Sequence, residues 1–356
     1  MRRLESLGAH SYVVQMAFDR TIFDEIDANL RSLEIDEVKR RLGPLMIGYS
    51  IESPTFDPGA FLYRARRLSP ALHKANGITR QGLIYPPASA APLGRLNRVG
   101  QSMFYSSMHK ESVFFELPNL KAGDEIILTF WKTKLQMFVN NIGYTEFAFK
   151  QLGAKRPLPK WGAQQAPGST EETVSLPTIP KEVLEVALSK DHSREIKEAF
   201  SKYFMRTVPM DETFKYKLTI AIGEMHLGSI VTHNTQFAGI LYPSVRMWAN
   251  GDNLALLPWF VDNYVEFRKA VHVRIKSRTE TSIDIDYVDA AHEFDACGRL
   301  NWLGRVRKWT LQPKQTGKFV GVAGRDADGD YTIGQDGVPA HWEAVDADTG
   351  KPIDMD

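Results

Sequence analysis

Residues 94–116 read GRLNRVGQSMFYSSMHKESVFFE, and their order of loop, strand and helix decides the fold. Gly94 and Gly100 frame Arg95-Leu96-Asn97, a loop in which the backbone turns tightly or approaches another group closely. Met103-Phe104-Tyr105-Ser106 is a short apolar and aromatic run that predicts a buried strand. Lys110 to Leu117 then predicts a helix carrying Glu111 and Glu116. Glu116 follows Val113-Phe114-Phe115, and a carboxylate in such a setting is costly to bury without a partner or a task. On its own, the residue reads as a glutamate reaching solvent from a helix edge; its surroundings point the other way.

Working outward, Ile22, Phe23, Ile26, Leu30 and Leu33 recur at spacings of three and four, which predicts helix over 12–41. A short basic helix, Ile35–Leu42, should end at Gly43-Pro44. Phe61-Leu62-Tyr63-Arg64-Ala65-Arg66-Arg67 begins as an alternating strand and ends basic. Its arginines read either as an exposed charged edge or as an anion site, since guanidinium meets phosphate with paired hydrogen bonds. Residues 75–93 read as loop. Asp124 to Lys132 is rich in strong strand formers.

Residues 151–178 are rich in Pro, Gly and Gln and read as an excursion. Helices are expected over 179–204 and 211–225. Phe237 to Tyr242 is an apolar strand stopped by Pro243, which places Ser244 at a strand end, a frequent position for site residues. Asn250-Gly251-Asp252-Asn253 marks a turn. Stretches near 270–276, 282–288 and 302–311 alternate as an antiparallel meander. The tail from Gln312 offers little to bury and reads as loosely packed. The expected organisation is a helical segment over 1–55, a main domain over 56–311 with the loop insertion, and the tail over 312–356. The class is α+β, with a mixed, mostly antiparallel sheet flanked by helices.

Composition removes several functions. The chain has 356 residues with a net charge of +1, so charge alone does not hold it to nucleic acid or to a membrane surface. No stretch approaches the roughly 18 apolar residues of a membrane helix, and the N-terminus lacks the apolar run of a signal peptide. A single cysteine, Cys297, excludes an intramolecular disulfide and fits a reducing, cytoplasmic setting. No Walker loop and no Gly-x-Gly-x-x-Gly fingerprint occurs. The acidic run at Asp326 fails as a calcium loop, because Tyr331 stands where the turn glycine belongs and Gly337 where the bidentate glutamate belongs. His226 and His233 lack the spacing of a zinc helix, so they read as core or exposed histidines and no metal is expected.

Three stretches taken together resemble the RES-domain family, named for its Arg, Glu and Ser. They are Leu62-Tyr63-Arg64-Ala65-Arg66; Gly94-Arg95-Leu96-Asn97 with Gly100, Phe104-Tyr105-Ser106 and Phe115-Glu116; and Leu241-Tyr242-Pro243-Ser244 with Asn253-Leu254. The resemblance covers roughly residues 60–265. It implies an ADP-ribosyltransferase-like curved or split sheet and an NAD-consuming activity, by phosphorolysis, hydrolysis or ADP-ribosyl transfer. It also implies membership of a toxin–antitoxin pair whose antitoxin is a helix-turn-helix protein, and it leaves homo-oligomers open. Family members are shorter, so the N-terminal helices, the excursion and the tail are additions.

Carried over by position, the resemblance assigns Arg64 to the family arginine, Tyr105 to the tyrosine, Glu116 to the glutamate and Ser244 to the serine. The crowding of Arg66 and Arg67 leaves the arginine's register open by two residues. Breaking a nicotinamide–ribose bond creates an oxocarbenium-like cation, which a placed carboxylate, Glu116, stabilises. Arg64, with Arg95 as a second candidate, would clamp the pyrophosphate. Tyr105 would stack on the nicotinamide, and Ser244 would bond the carboxamide or a phosphate oxygen. No histidine sits near Ser244 to activate it as a nucleophile. The alternatives are a protein ADP-ribosyltransferase and a non-catalytic binding protein on the same fold.

Overall fold

The computed structural model describes residues 21–46, 49, 51, 53–69, 72, 77–110, 112–159, 190–228, 237–278, 283–304, 309–313, 323–325, 331–333, 342–346, 349 and 351–353. The run of strand formers after Asp124 becomes a nine-residue strand buried along most of its length, and the sheet extends on both sides of it. The strands used below are β1 (Thr55–Phe56), β2 (Phe61–Arg67), β3 (Phe104–Ser107), β4 (Glu125–Thr133) and β5 (Met137–Asn141). They continue as β6 (Gly239–Pro243), β7 (Asp252–Leu256), β8 (Val265–Arg278), β9 (Ile283–Phe294), β10 (Leu300–Trp302) and β11 (Trp309–Pro313).

Among the described residues these strands belong to one thirteen-stranded sheet in the order β1-β5-β6-β7-β3-β2-β4-β8-β9-β11, with β10 beside β9. Every pairing is antiparallel except β5 with β6. The predicted meander is present as β8, β9 and β11, whose registers place Val273 opposite Tyr287 and Trp309 opposite Tyr287. Beyond β11, the segments Trp342–Asp346 and Pro352–Ile353 extend the same sheet. These tail segments are thus joined to the sheet by backbone pairing.

Helices cover the sheet where alternation leaves an apolar face on each side. α1 (Thr21–Asn29) and α2 (Ile35–Leu42) share a core with α6 (Lys190–Phe204) and α7 (Tyr216–Gly228). Between them lie α3 (Arg80–Leu83), α4 (Ser112–Glu116) and α5 (Glu146–Leu152). Phe23, Ile26, Leu30 and Val38 meet Phe200, Leu218 and Ile222 there, together with Ile240 and Ala255 from the sheet. The intervening residues Leu241, Leu254 and Leu256 face a second core with Leu62, Phe104 and Trp131. β6 and β7 are buried along their whole length, as strands covered on both faces must be. A third cluster packs Val113, Phe114 and Phe115 of α4 against Ile126, Leu128 and Phe130 of β4.

The α-helix Ile35–Leu42 does end at Gly43-Pro44 as expected, and a short 3-10 turn, Gly43–Met46, follows it. Local differences from the sequence reading have physical causes. The loop over 75–93 contains α3, whose N-cap Thr79 accepts a hydrogen bond from Gly82 N–H. Helix over 12–20 and 179–189, most of the 151–178 excursion, His233 and the acidic run at 326–330 lie outside the described residues. His226 is a core residue, fully buried on α7. No helix among the described residues is long and apolar enough to cross a membrane.

Candidate functional site

A cleft of about 550 Å3 opens on the face of the sheet where β2, β3, β6 and β7 carry their polar residues. Arg64, Arg95, Tyr105 and Glu116 line it, and Ser244 lies directly behind Glu116. Residues separated by up to 180 positions in the chain thus meet at one place.

Glu116 ends α4 and is exposed to the cleft rather than buried among the phenylalanines that precede it. Val113, Phe114 and Phe115 face the core beneath, and the helix stops with the carboxylate turned outward. Ser244 Oγ donates to Glu116 Oε1 at 2.5 Å, and Asn253 Nδ2 donates to the same oxygen at 2.7 Å. Both donors are buried, 0% and 3% exposed, so the fold fixes them before the carboxylate docks. Two bonds to one oxygen leave Oε2 for the cleft.

The hairpin β6–β7 builds this cradle. Pro243 ends the strand, Ser244 N–H donates to Gly251 O at 2.7 Å, and Ala249 N–H donates to Ser244 O at 2.8 Å. Ser244 Oγ also accepts Met247 N–H at 3.1 Å, so its single hydroxyl proton is left for Glu116. Across the hairpin, Asn253 stands opposite Tyr242. Ser244 therefore touches the carboxylate and is not among the residues that line the open cleft. Asn253, which the sequence offers as the end of a turn, completes the same cradle. The signal was a pair of polar residues flanking a short turn, Ser244 just after one apolar strand and Asn253 at the start of the next.

Tyr105 is held through its hydroxyl, which accepts Leu96 N–H at 2.9 Å and donates to Asn97 Oδ1 at 2.8 Å. Gly94 permits this contact: a Cβ there would lie 2.3 Å from Asn97 Oδ1 and 2.9 Å from the Tyr105 hydroxyl. The glycine-marked loop thus serves the tyrosine. Burial pushes the Tyr105 phenol well up, and burial followed by the Glu116 charge does the same to Tyr242. Both phenols stay protonated across the physiological range.

Arg64 sits where β2 and β3 part, their register reduced to Tyr63 opposite Ser107. Its Nε donates to Leu83 O at 3.2 Å and its Nη1 to Tyr105 O at 2.6 Å. Burial, and then the charge of Arg66, push its guanidinium down to about 10. Arg66 itself donates to Gly82 O and Arg67 to the carbonyls of Pro118 and Asn119, so Arg64 is the arginine of this strand at the cleft. Arg95 donates to the carbonyls of Phe204 and Arg206 and lies 5.7 Å from the centres of the Phe204 and Tyr216 rings.

Beneath the hairpin, Asp252 is held by Arg156, by Tyr144 Oη at 2.7 Å and by His109 at 3.3 Å. Burial disfavours its charge, but the Arg156 fork and His109 hold its carboxyl far below the usual range. This buried network anchors the strand that carries Asn253. No family model matches the chain, and no curated protein matches it closely enough to count as a relative.

Proposed function

We propose that the chain is an NAD-consuming enzyme of the RES type, cleaving the nicotinamide–ribose bond by phosphorolysis or hydrolysis and acting as the toxin of a toxin–antitoxin pair. The observation that carries this reading is the cradle of Ser244 and Asn253 around one oxygen of Glu116, in a cleft whose lining includes three arginines and four tyrosines. Such a carboxylate is a fixed negative charge at the cleft wall. It suits a reaction whose transition state gains positive charge on a ribose carbon.

In this reading Glu116 Oε2 stabilises the developing cation and Tyr105 supplies a flat, immobile ring for the nicotinamide. Arg64 and Arg95 raise the positive potential that draws the dinucleotide into the cleft. Ser244 and Asn253 spend their donors on Glu116, so the carboxylate needs no reorganisation when charge develops. A helix-turn-helix antitoxin is the expected partner. The reading is tested by incubating the protein with NAD, with and without phosphate, and identifying the product by mass spectrometry. Phosphorylated ADP-ribose marks phosphorolysis and plain ADP-ribose marks hydrolysis; adducts on protein with no free product would replace both by the transferase.

A further inference from the structure

We propose that Arg246 is the residue that binds the phosphate groups of the ligand and makes the cleft select phosphorylated over unphosphorylated nucleosides. The inference rests on the dinucleotide reading of the cleft and names a subsite that the sequence motifs do not include. Among the side chains lining the cleft, Glu116 is the one acid, while Arg64, Arg95 and Arg246 are cations. That leaves an excess of positive charge suited to an anionic ligand. The three arginines are not equivalent. Arg64 and Arg95 each direct two of their nitrogens at main-chain carbonyls, which ties both guanidinium groups to the wall.

Arg246 is exposed at the cleft and has no hydrogen bond or ion pair among the described residues. An exposed arginine is ordinarily a solvated cation, but this one stands on a turn held by hydrogen bonds. It lies two residues after Ser244 in the turn 245–250, where Trp248 and Ala249 adopt φ of 49° and 60°. Left-handed geometry at two non-glycine residues persists only where surrounding bonds enforce it. Here Ser244 supplies those bonds, through its carbonyl to Ala249 N–H and its hydroxyl to Met247 N–H. The group that orients Glu116 therefore also fixes the backbone from which Arg246 reaches. A full guanidinium fork is free to meet phosphate oxygens at a set distance from the catalytic carboxylate.

Titration calorimetry of ADP-ribose into the full chain tests this, comparing wild type with Arg246→Gln. Arg268→Gln, an exposed arginine on β8, controls for net charge. Because Arg246 is exposed, its replacement should leave the far-ultraviolet circular dichroism and melting curve unchanged. The dissociation constant is expected to rise at least about tenfold in Arg246→Gln, the loss of a charge-assisted phosphate contact, and to stay put in Arg268→Gln. For NAD turnover, KM should rise with kcat unmoved. Equal affinity in wild type and Arg246→Gln, or no binding by wild type, would overturn the proposal. ADP-ribose binding that needs Arg246, with NAD left intact, would sink the enzyme and keep the subsite. NAD turnover with KM unmoved in Arg246→Gln would keep the enzyme and sink the subsite.

Discussion

Ser244 Oγ lies 2.5 Å from Glu116 Oε1, a hydrogen bond that joins the end of a short helix to the end of a strand 128 residues later. Asn253 adds a second donor to the same oxygen. The exposed carboxylate is thereby oriented by two buried side chains, and its free oxygen is aimed rather than mobile. Preorganisation of this kind is worth more than the charge alone, because no dipole has to turn when the transition state forms.

A double-mutant cycle measures that cradle. Ser244→Ala and Asn253→Ala should each lower NAD turnover by about tenfold or more, as lost transition-state orientation. In a Glu116→Gln background either change should add little, because the three residues act as a unit. Full additivity of the logarithmic losses would show that Ser244 and Asn253 act elsewhere. Ser244→Ala should also lower stability by about 1–3 kcal/mol, since Met247 N–H loses its buried acceptor.

Gly94→Ala should damage Tyr105 without touching it covalently. The added methyl would stand 2.3 Å from Asn97 Oδ1, so the Asn97–Tyr105 bond must open. We expect a loss of about 1–3 kcal/mol in stability and a rise in KM for NAD beyond that of a Tyr105→Phe variant. Denaturant melts and initial rates on both proteins read the two effects. A Gly94→Ala protein with wild-type stability and KM would show that the loop yields freely.

His226 predicts an acid-sensitive fold. It is fully buried, donates Nδ1–H to Ile222 O at 2.8 Å and meets the Tyr49 hydroxyl through Nε2 at 3.3 Å. Burial pushes its pKa down to about 4 from an ordinary value of 6.5. Between those values the unfolded chain binds a proton that the native chain refuses. The contribution is therefore complete above pH 6.5 and is lost as pH falls toward 4, by at most about 3 kcal/mol. Urea midpoints measured from pH 7 to pH 4 should fall more steeply for wild type than for His226→Gln. Parallel curves would exclude His226 as the source.

Much of this arrangement is legible in the sequence. Periodicity finds the helices α1 and α2, each of which buries one apolar face, and unbroken apolar runs mark the fully buried strand β6 and helix α7. The terminal position of Ser244 follows from Pro243, and the tight approach at Gly94 from its loop composition. Other features depend on which strands become neighbours. Glu116 looks costly beside Phe114 and Phe115, yet helix geometry sends the phenylalanines inward and the carboxylate out. Asn253 gains its meaning only when β7 pairs β6 and brings it beside Ser244. Arg246 carries no local pattern at all; its place follows from a turn held in left-handed geometry. The segments Trp342–Asp346 and Pro352–Ile353 escape the sequence reading because what joins them to the sheet is backbone pairing, the first to β11 and the second to the first.

In the proposed reading Glu116 is the catalytic carboxylate. Its direct test is nicotinamide release from NAD, measured by chromatography, for wild type and Glu116→Gln side by side. Glu116 is exposed, so the variant should fold and melt as wild type does. The account predicts release by wild type and a loss of about a hundredfold or more in the variant. Equal release by the two proteins, or none by wild type, would contradict it.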